Sequence, residues 1–320
     1  MPSSSKRVLI DTDTAGDDAQ ALLLAATTDR LDIEGVTICA GNVEFDRQVE
    51  NAKYALELVD NETTVYEGAR SPLLKDHEFA DQIHGEGGLG GDLFPETGID
   101  SGEEYAVDYI VETVRENPGE ITLVCLAPLT NIALALKKEP ALNDLVDEVY
   151  VMGGAVHWPG NDTATAEFNF WVDPDAAKLV LEHLDVTLFD WGLSVRDTAF
   201  ESDLFSTLRT EDDTALADFY LESTKVGRAY NEEHRGGERT VQPDSSVVAA
   251  LIEPDLVTET DHAYVTVDER EGITRGHTVV DTGEWVLGAP RTTLVESLDS
   301  DLFERMMRSL LLDGTPDDAL

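Results

Sequence analysis

The stretch VLIDTDTAGDDAQALLLA, residues 8–25, sets four aspartates, Asp11, Asp13, Asp17 and Asp18, within eight positions. An apolar run reading as a strand precedes them, and a helix-forming run reading as a helix from Asp17 to Thr28 follows. The chain as a whole carries 66 Asp and Glu against 22 Lys and Arg, a formal net charge of −44. Acidic clusters are therefore expected by chance over much of the surface. These four differ because they follow a strand directly, where α/β proteins place ligands. Carboxylates converging there are costly without a cation among them. The segment holds no Lys or Arg, so a divalent metal is the natural partner. An all-oxygen donor set favours Ca²⁺ or Mg²⁺ over zinc.

Working outward, short apolar runs alternate with helical patterns. IEGVTICAG and TTVYEGA read as strands around the helix EFDRQVENAKYALELV. Beyond a Gly-rich stretch at 76–102, a candidate active-site loop, EYAVDYIVETVREN reads as a helix, ITLVCLA as a strand and LTNIALALKK as a helix. EVYVMGG, DPDAAKLVLEH and VTLFDWGLSV continue as strand, helix and strand. The later chain is more helical, from residue 203 to about 235 and again at SSVVAALIEP; then come two strands, AYVTVDER and ITRGHTVVDT, and a last helix, DLFERMMRSLLL. This alternation predicts an α/β fold: one domain over residues 1–320 with a central, mostly parallel, Rossmann-like sheet flanked by helices. Residues 313–320 are expected to fray.

Composition excludes several classes. Scarce, unclustered Lys and Arg argue against nucleic acid as a partner. No apolar run reaches membrane-spanning length, and no apolar leader precedes the first strand, so a cytoplasmic protein with no membrane partner is expected. Cys39 and Cys125 sit in apolar runs and read as small buried hydrophobes rather than a disulfide framework. The acidity matches a halophile's protein: in molar salt the Debye length falls to about 3 Å, which screens self-repulsion.

Five segments in order resemble the nucleoside hydrolase family, of the inosine–uridine-preferring type. DTDTAGDDAQAL is similar to its N-terminal signature, GVTICAGNV to its second strand, and LAPLTNIALAL to a segment that lends the metal a carbonyl oxygen. VMGGAVHWPGNDTATAEFNFWVDPDAA is similar to its ribose-binding segment, and PDSSVVAALIEP to its late metal-ligand segment. The resemblance implies Ca²⁺-dependent hydrolysis of the N-glycosidic bond of ribonucleosides, with a role in purine or pyrimidine salvage. It implies one Ca²⁺ held by Asp13, Asp18, Asp244 and the carbonyl oxygen of Leu126, with Asp13 as general base. It assigns Asp17, Asn42, Asn161, Glu167 and Asn169 to the substrate, leaves Asp11 as an orienting residue, and favours a homodimer or homotetramer. The residue types suit the chemistry. Fixed carboxylates stabilise an oxocarbenium-like sugar, and a metal lowers the pKa of its water.

One position departs from the family pattern. Many relatives carry His-Asp in the late segment, the His protonating the leaving base; here Pro243 precedes Asp244 and donates no proton. His84 becomes the leading catalytic candidate for contact with the base. Tyr230 and His234 rank behind it, and His157 reads more readily as structural. Two other readings compete. A strand ending Asp-x-Asp-x-Thr also opens the haloacid-dehalogenase-like phosphatases, although their later lysine and acidic motifs have no match. A nucleoside- or ribose-binding protein that has lost catalysis would equally keep the aspartates. Release of ribose, of phosphate or of neither separates the three.

Overall fold

The computed structural model describes residues 5–210 and 214–320. Its strands are β1 (Lys6–Thr12), β2 (Leu31–Ile38), β3 (Val65–Glu67), β4 (Thr122–Cys125), β5 (Val149–Met152), β6 (Val186–Phe189), β7 (Ala199–Glu201), β8 (Arg239–Val241), β9 (Val257–Val267), β10 (Thr278–Asp281) and β11 (Thr292–Leu298). Nine of them form one sheet in the order β10-β9-β11-β6-β5-β4-β1-β2-β3, and β7 and β8 form a separate antiparallel pair. The sheet is parallel from β3 across to β11, and β9 runs antiparallel to both β11 and β10. The expected single α/β domain is what the chain forms.

Strand periodicity explains the layers. Val8 and Ile10 face a core shared with the helices Gly16–Ala26, Phe45–Glu57, Pro243–Ile252 and Ser300–Asp313. Leu9, between them, faces the opposite core, shared with Ala106–Glu116, Thr130–Lys138 and Pro174–His183. The order β3-β2-β1-β4-β5-β6 is that of a doubly wound sheet, whose crevice opens where the winding reverses, between β1 and β4. Asp11 pairs with Cys125 across that boundary, so the aspartate turn after β1 and Leu126 after β4 share one crevice.

Three expectations are corrected. VTLFDWGLSV is not one strand: β6 stops at Phe189, and Asp190 caps a helix, Trp191–Asp197, by accepting from the Gly192 and Leu193 amides. This Asp satisfies helix donors that a strand would have left to a neighbour. ITRGHTVVDT is strand only over β10, because Gly276 turns the chain with a φ of +77°. The C-terminal segment, expected to fray, is hydrogen-bonded to the residues after the helix Gly16–Ala26. Thr28 Oγ1 and the Asp29 amide donate to the Asp317 carboxylate at 2.8 and 3.1 Å, and Thr315 Oγ1 donates to Thr27 O.

Candidate active site

Two buried helices bring the first carboxylates together. Gly16–Ala26 packs against Pro243–Ile252, in which all ten residues are buried. Their N-termini meet at the crevice. Asp17 and Asp18 stand in the first turn of one helix and Asp244 in the first turn of the other, where the helix dipole favours negative charge. Oxygens of Asp17, Asp18 and Asp244 lie within 4.8 Å of one another. Like charges at that spacing repel by roughly 3–4 kcal/mol per pair at an effective dielectric of 20. Among the described residues no Lys or Arg pairs with them. Helix dipoles alone, worth about 0.3–1 kcal/mol each at exposed sites, do not offset that.

Asp13 stands against this trio. The Asn42 amide donates to its Oδ2 at 2.7 Å, and Asn42 Nδ2 donates to Asp18 Oδ2 at 3.2 Å. Gly41 is required beside it: a Cβ there would lie 1.9 Å from Asp13 Oδ2. Asp18 is fixed further by Thr12 Oγ1 (2.6 Å) and the Ala15 amide (3.0 Å). Asp11 sits behind, its Oδ1 accepting from Thr37 Oγ1 and Asn131 Nδ2, which ties β1 to β2 and to the helix Thr130–Lys138.

Burial pushes these acids upward. Desolvation raises Asp11 to about 7 and both Asp17 and Asp18 to about 6. Asp13 and Asp244 rise further, through desolvation first and then the charge on Asp18. Asp13 Oδ1 and Asp17 Oδ1 are buried without a hydrogen-bond partner. Crowded hard-oxygen donors without protein partners and with raised pKa values are the donor set that suits a divalent cation.

Above the cluster opens a cavity of about 350 Å³, lined by Asp17, Asn42, Leu126, Asn161, Glu167, Asn169 and Asp244 among others. Glu167 caps the helix Phe168–Val172, accepting from the Gly154, Asn169 and Phe170 amides at 2.7, 2.8 and 3.2 Å. Desolvation nevertheless raises it to about 7. Asn169 Nδ2 donates to Leu126 O at 2.8 Å, joining the helix Phe168–Val172 to the carbonyl after β4. Asn161 Oδ1 accepts from the Phe168 amide, which orients an otherwise exposed side chain over the cavity.

The opposite wall is looser. His84 ends the short helix Asp81–His84, lines the cavity, and places Nδ1 3.8 Å from Asp17 Oδ1. Burial lowers its pKa against the opposing pull of Asp18 and Asp81. Tyr230 lines the same wall; His234 stacks on Tyr230 outside it. Pro243 lines the cavity as the first residue of its helix. His157 is exposed beside Glu296, and Trp158 and Trp171 do not line the cavity. Sequence reasoning missed Trp191, Asn231, Arg239 and Gln242, all of which line it. Trp191 had a signal in Asp190, an N-cap at a strand's carboxyl end. The other three had none.

Carboxylates clustered below a cavity of about 350 Å³ are compatible with glycosidic-bond hydrolysis. The model of the family described as inosine-uridine preferring nucleoside hydrolase matches residues 8–305. A pyrimidine-specific ribonucleoside hydrolase, RihB, of Escherichia coli (strain SE11) is 33% identical over 300 residues, 93% of this chain and 94% of its own. Among solved structures, a plant nucleoside hydrolase superposes with a TM-score of 0.89 at 27% identity, covering 96% of this chain and 98% of that one. A purine-preferring ribonucleoside hydrolase from Gardnerella vaginalis gives 0.85 at 28% identity with the same coverage. The chain belongs to the nucleoside hydrolase family and is an N-glycosyl hydrolase. The phosphatase and binding-only readings are set aside. Among the described residues no helix is long and apolar enough to cross a membrane.

Proposed function

We propose that this enzyme hydrolyses ribonucleosides to ribose and free base with one Ca²⁺ held by Asp13, Asp18, Asp244 and the carbonyl oxygen of Leu126. The convergence of buried, partnerless carboxylate oxygens beneath a cavity walled by Asn161, Glu167 and Asn169 carries this reading. Asp17 lies in the same cluster with one edge on the cavity, which suits a carboxylate that accepts from a ribose hydroxyl. When bound, the ion supplies a Lewis acid that lowers the pKa of a coordinated water. Asp13, whose Oδ1 has no hydrogen-bond partner, would take the proton of the attacking water. Glu167, held by three amides, keeps its remaining lone pairs on the sugar and stabilises positive charge there.

The base is not assigned. One relative is named for pyrimidines and another for purines. A panel of purine and pyrimidine ribonucleosides, assayed for ribose in molar KCl with and without Ca²⁺, tests the proposal. Ribose release that is lost on chelation and restored by Ca²⁺ is expected; full activity after chelation would sink it. We also propose adaptation to high salt, supported by the net charge of −44. At 0.01 M salt the Debye length grows to about 30 Å and repulsion spreads over the whole surface. Circular dichroism should show loss of structure on desalting, and a melting temperature indifferent to KCl would refute this.

A further inference from the structure

The cavity floor is uniformly anionic, yet one strong cation lines the cavity. Arg239, the first residue of β8, is the single Lys or Arg among the lining residues. Its Nη2 donates to Val195 O at 2.7 Å, anchoring it to the helix Trp191–Asp197. Its Nε is buried without a hydrogen-bond partner and lies 3.8 Å from Glu201 Oε1, too far to bond. Glu201 is exposed, with 67% of its side chain accessible, so the pair is weak and screened. A guanidinium carries five N–H donors and a positive charge; with Nε closed off and Nη2 on Val195 O, the Nη1 donors take no partner among the described residues. The backbone holds it in place: Asn231 Nδ2 donates to Arg239 O at 2.8 Å, clamping β8 to the helix that carries Tyr230. Five residues further on, the same segment delivers Asp244 to the floor.

Chemistry says what such a cation is for. When the C1′–N bond breaks, its electron pair leaves with the base, and the charge spreads from the ring nitrogen onto ring carbonyl oxygens. A new C1′–O bond forms to water, and the water's proton passes to Asp13. The anion later takes a proton from solvent. Asp17, Asp18, Glu167 and Asp244 all oppose that anion. Pro243, on the segment between Arg239 and the floor, donates nothing to it.

We propose that Arg239 offsets the charge of the departing base by donating to a ring carbonyl oxygen, in place of the proton donor that Pro243 removes. The inference rests on reading the cavity as the nucleoside site. It is tested by comparing uridine, a poor leaving group, with 4-nitrophenyl β-D-ribofuranoside, whose phenolate needs no help. Removing one preorganised donor typically costs 10²–10³ in kcat, and a part-exposed donor less. Arg239→Gln should therefore lower kcat on uridine by at least about tenfold and on the nitrophenyl riboside by less than about threefold. Arg239→Lys, which keeps the charge, should recover most of the uridine rate. Ca²⁺ affinity by calorimetry should be unchanged in both variants. Equal losses on both substrates, or equal losses in the Gln and Lys variants, would make Arg239 a mere anchor for Trp191–Asp197 and overturn the proposal, as would an unchanged uridine rate. Wild-type enzyme that releases ribose from neither substrate would overturn the nucleoside reading itself, and this inference with it.

Discussion

The floor and the outer wall of the cavity are built by opposite means. The floor is made of strand ends and helix N-termini, and Asp13, Asp18, Glu167, Asn169 and Asp244 are all buried there. The wall is made of a four-residue helix, one face of Lys225–Arg235, and β8. Tyr230 is 37% exposed on it, and His84 and Arg239 are only partly buried. A buried floor and a more exposed wall would suit the proposed site, which would hold one sugar in one pose and differ in the base it accepts.

The largest effect should come from the floor. Asp18→Ala removes a carboxylate from the trio and a partner from Thr12 and Ala15 at once. Ca²⁺ binding by calorimetry and ribose release should both be abolished; retention of either would break the contrast. Glu167→Gln comes next. Three backbone amides converge on that carboxylate, and turning an amide NH₂ toward one of them costs about 1–3 kcal/mol. Turnover should fall by about 10- to 100-fold, within the range of a lost preorganised charge, and the melting temperature should drop by several degrees. A variant with unchanged Tm and kcat would show that the capping geometry is dispensable.

Changes to the wall should be smaller and uneven across substrates. His84→Ala should reduce kcat by about tenfold, the low end of what an acid–base group supplies, with different losses for purine and pyrimidine nucleosides. Identical rates for every nucleoside would leave His84 as a loop residue. Tyr230→Phe keeps the ring and deletes only the hydroxyl, so kcat should change by less than about threefold, as expected for one neutral hydrogen bond at a wet edge. A loss of 10²-fold would instead make Tyr230 the missing acid.

The same contrast explains what the sequence disclosed. A floor made at the junction of one strand and one helix is written in contiguous letters: Asp13 to Asp18 span six residues, and Glu167 and Asn169 three. Alternation in Val8, Leu9 and Ile10 announced the buried central strand, and βα repetition announced the parallel sheet. Arg239 and Gln242 share a cavity with His84 only because the helix Lys225–Arg235 packs against both β8 and the helix Asp81–His84, more than 150 positions before Arg239 in the chain. No local period encodes such a meeting. Asp190 shows the intermediate case. Its capping role was readable from residue type, but the apolar letters around it, LF before and W-x-L after, look the same in a strand and in a buried helix.

Pro243 has a further consequence, in the disordered chain rather than in the folded one. At the first helical position its missing N–H is no loss, and its ring fixes φ at a helical value before the helix exists. A proline in a compatible place stabilises a protein by about 0.4–1 kcal/mol, chiefly by denying conformations to the unfolded state. The residue after it is Asp244, so the segment that must deliver a charged group into a crowd of like charges starts from fewer alternatives. Histidine at 243 would restore a proton donor and give that freedom back. Proton donor and stiff backbone compete for one position, and this chain carries the stiff backbone.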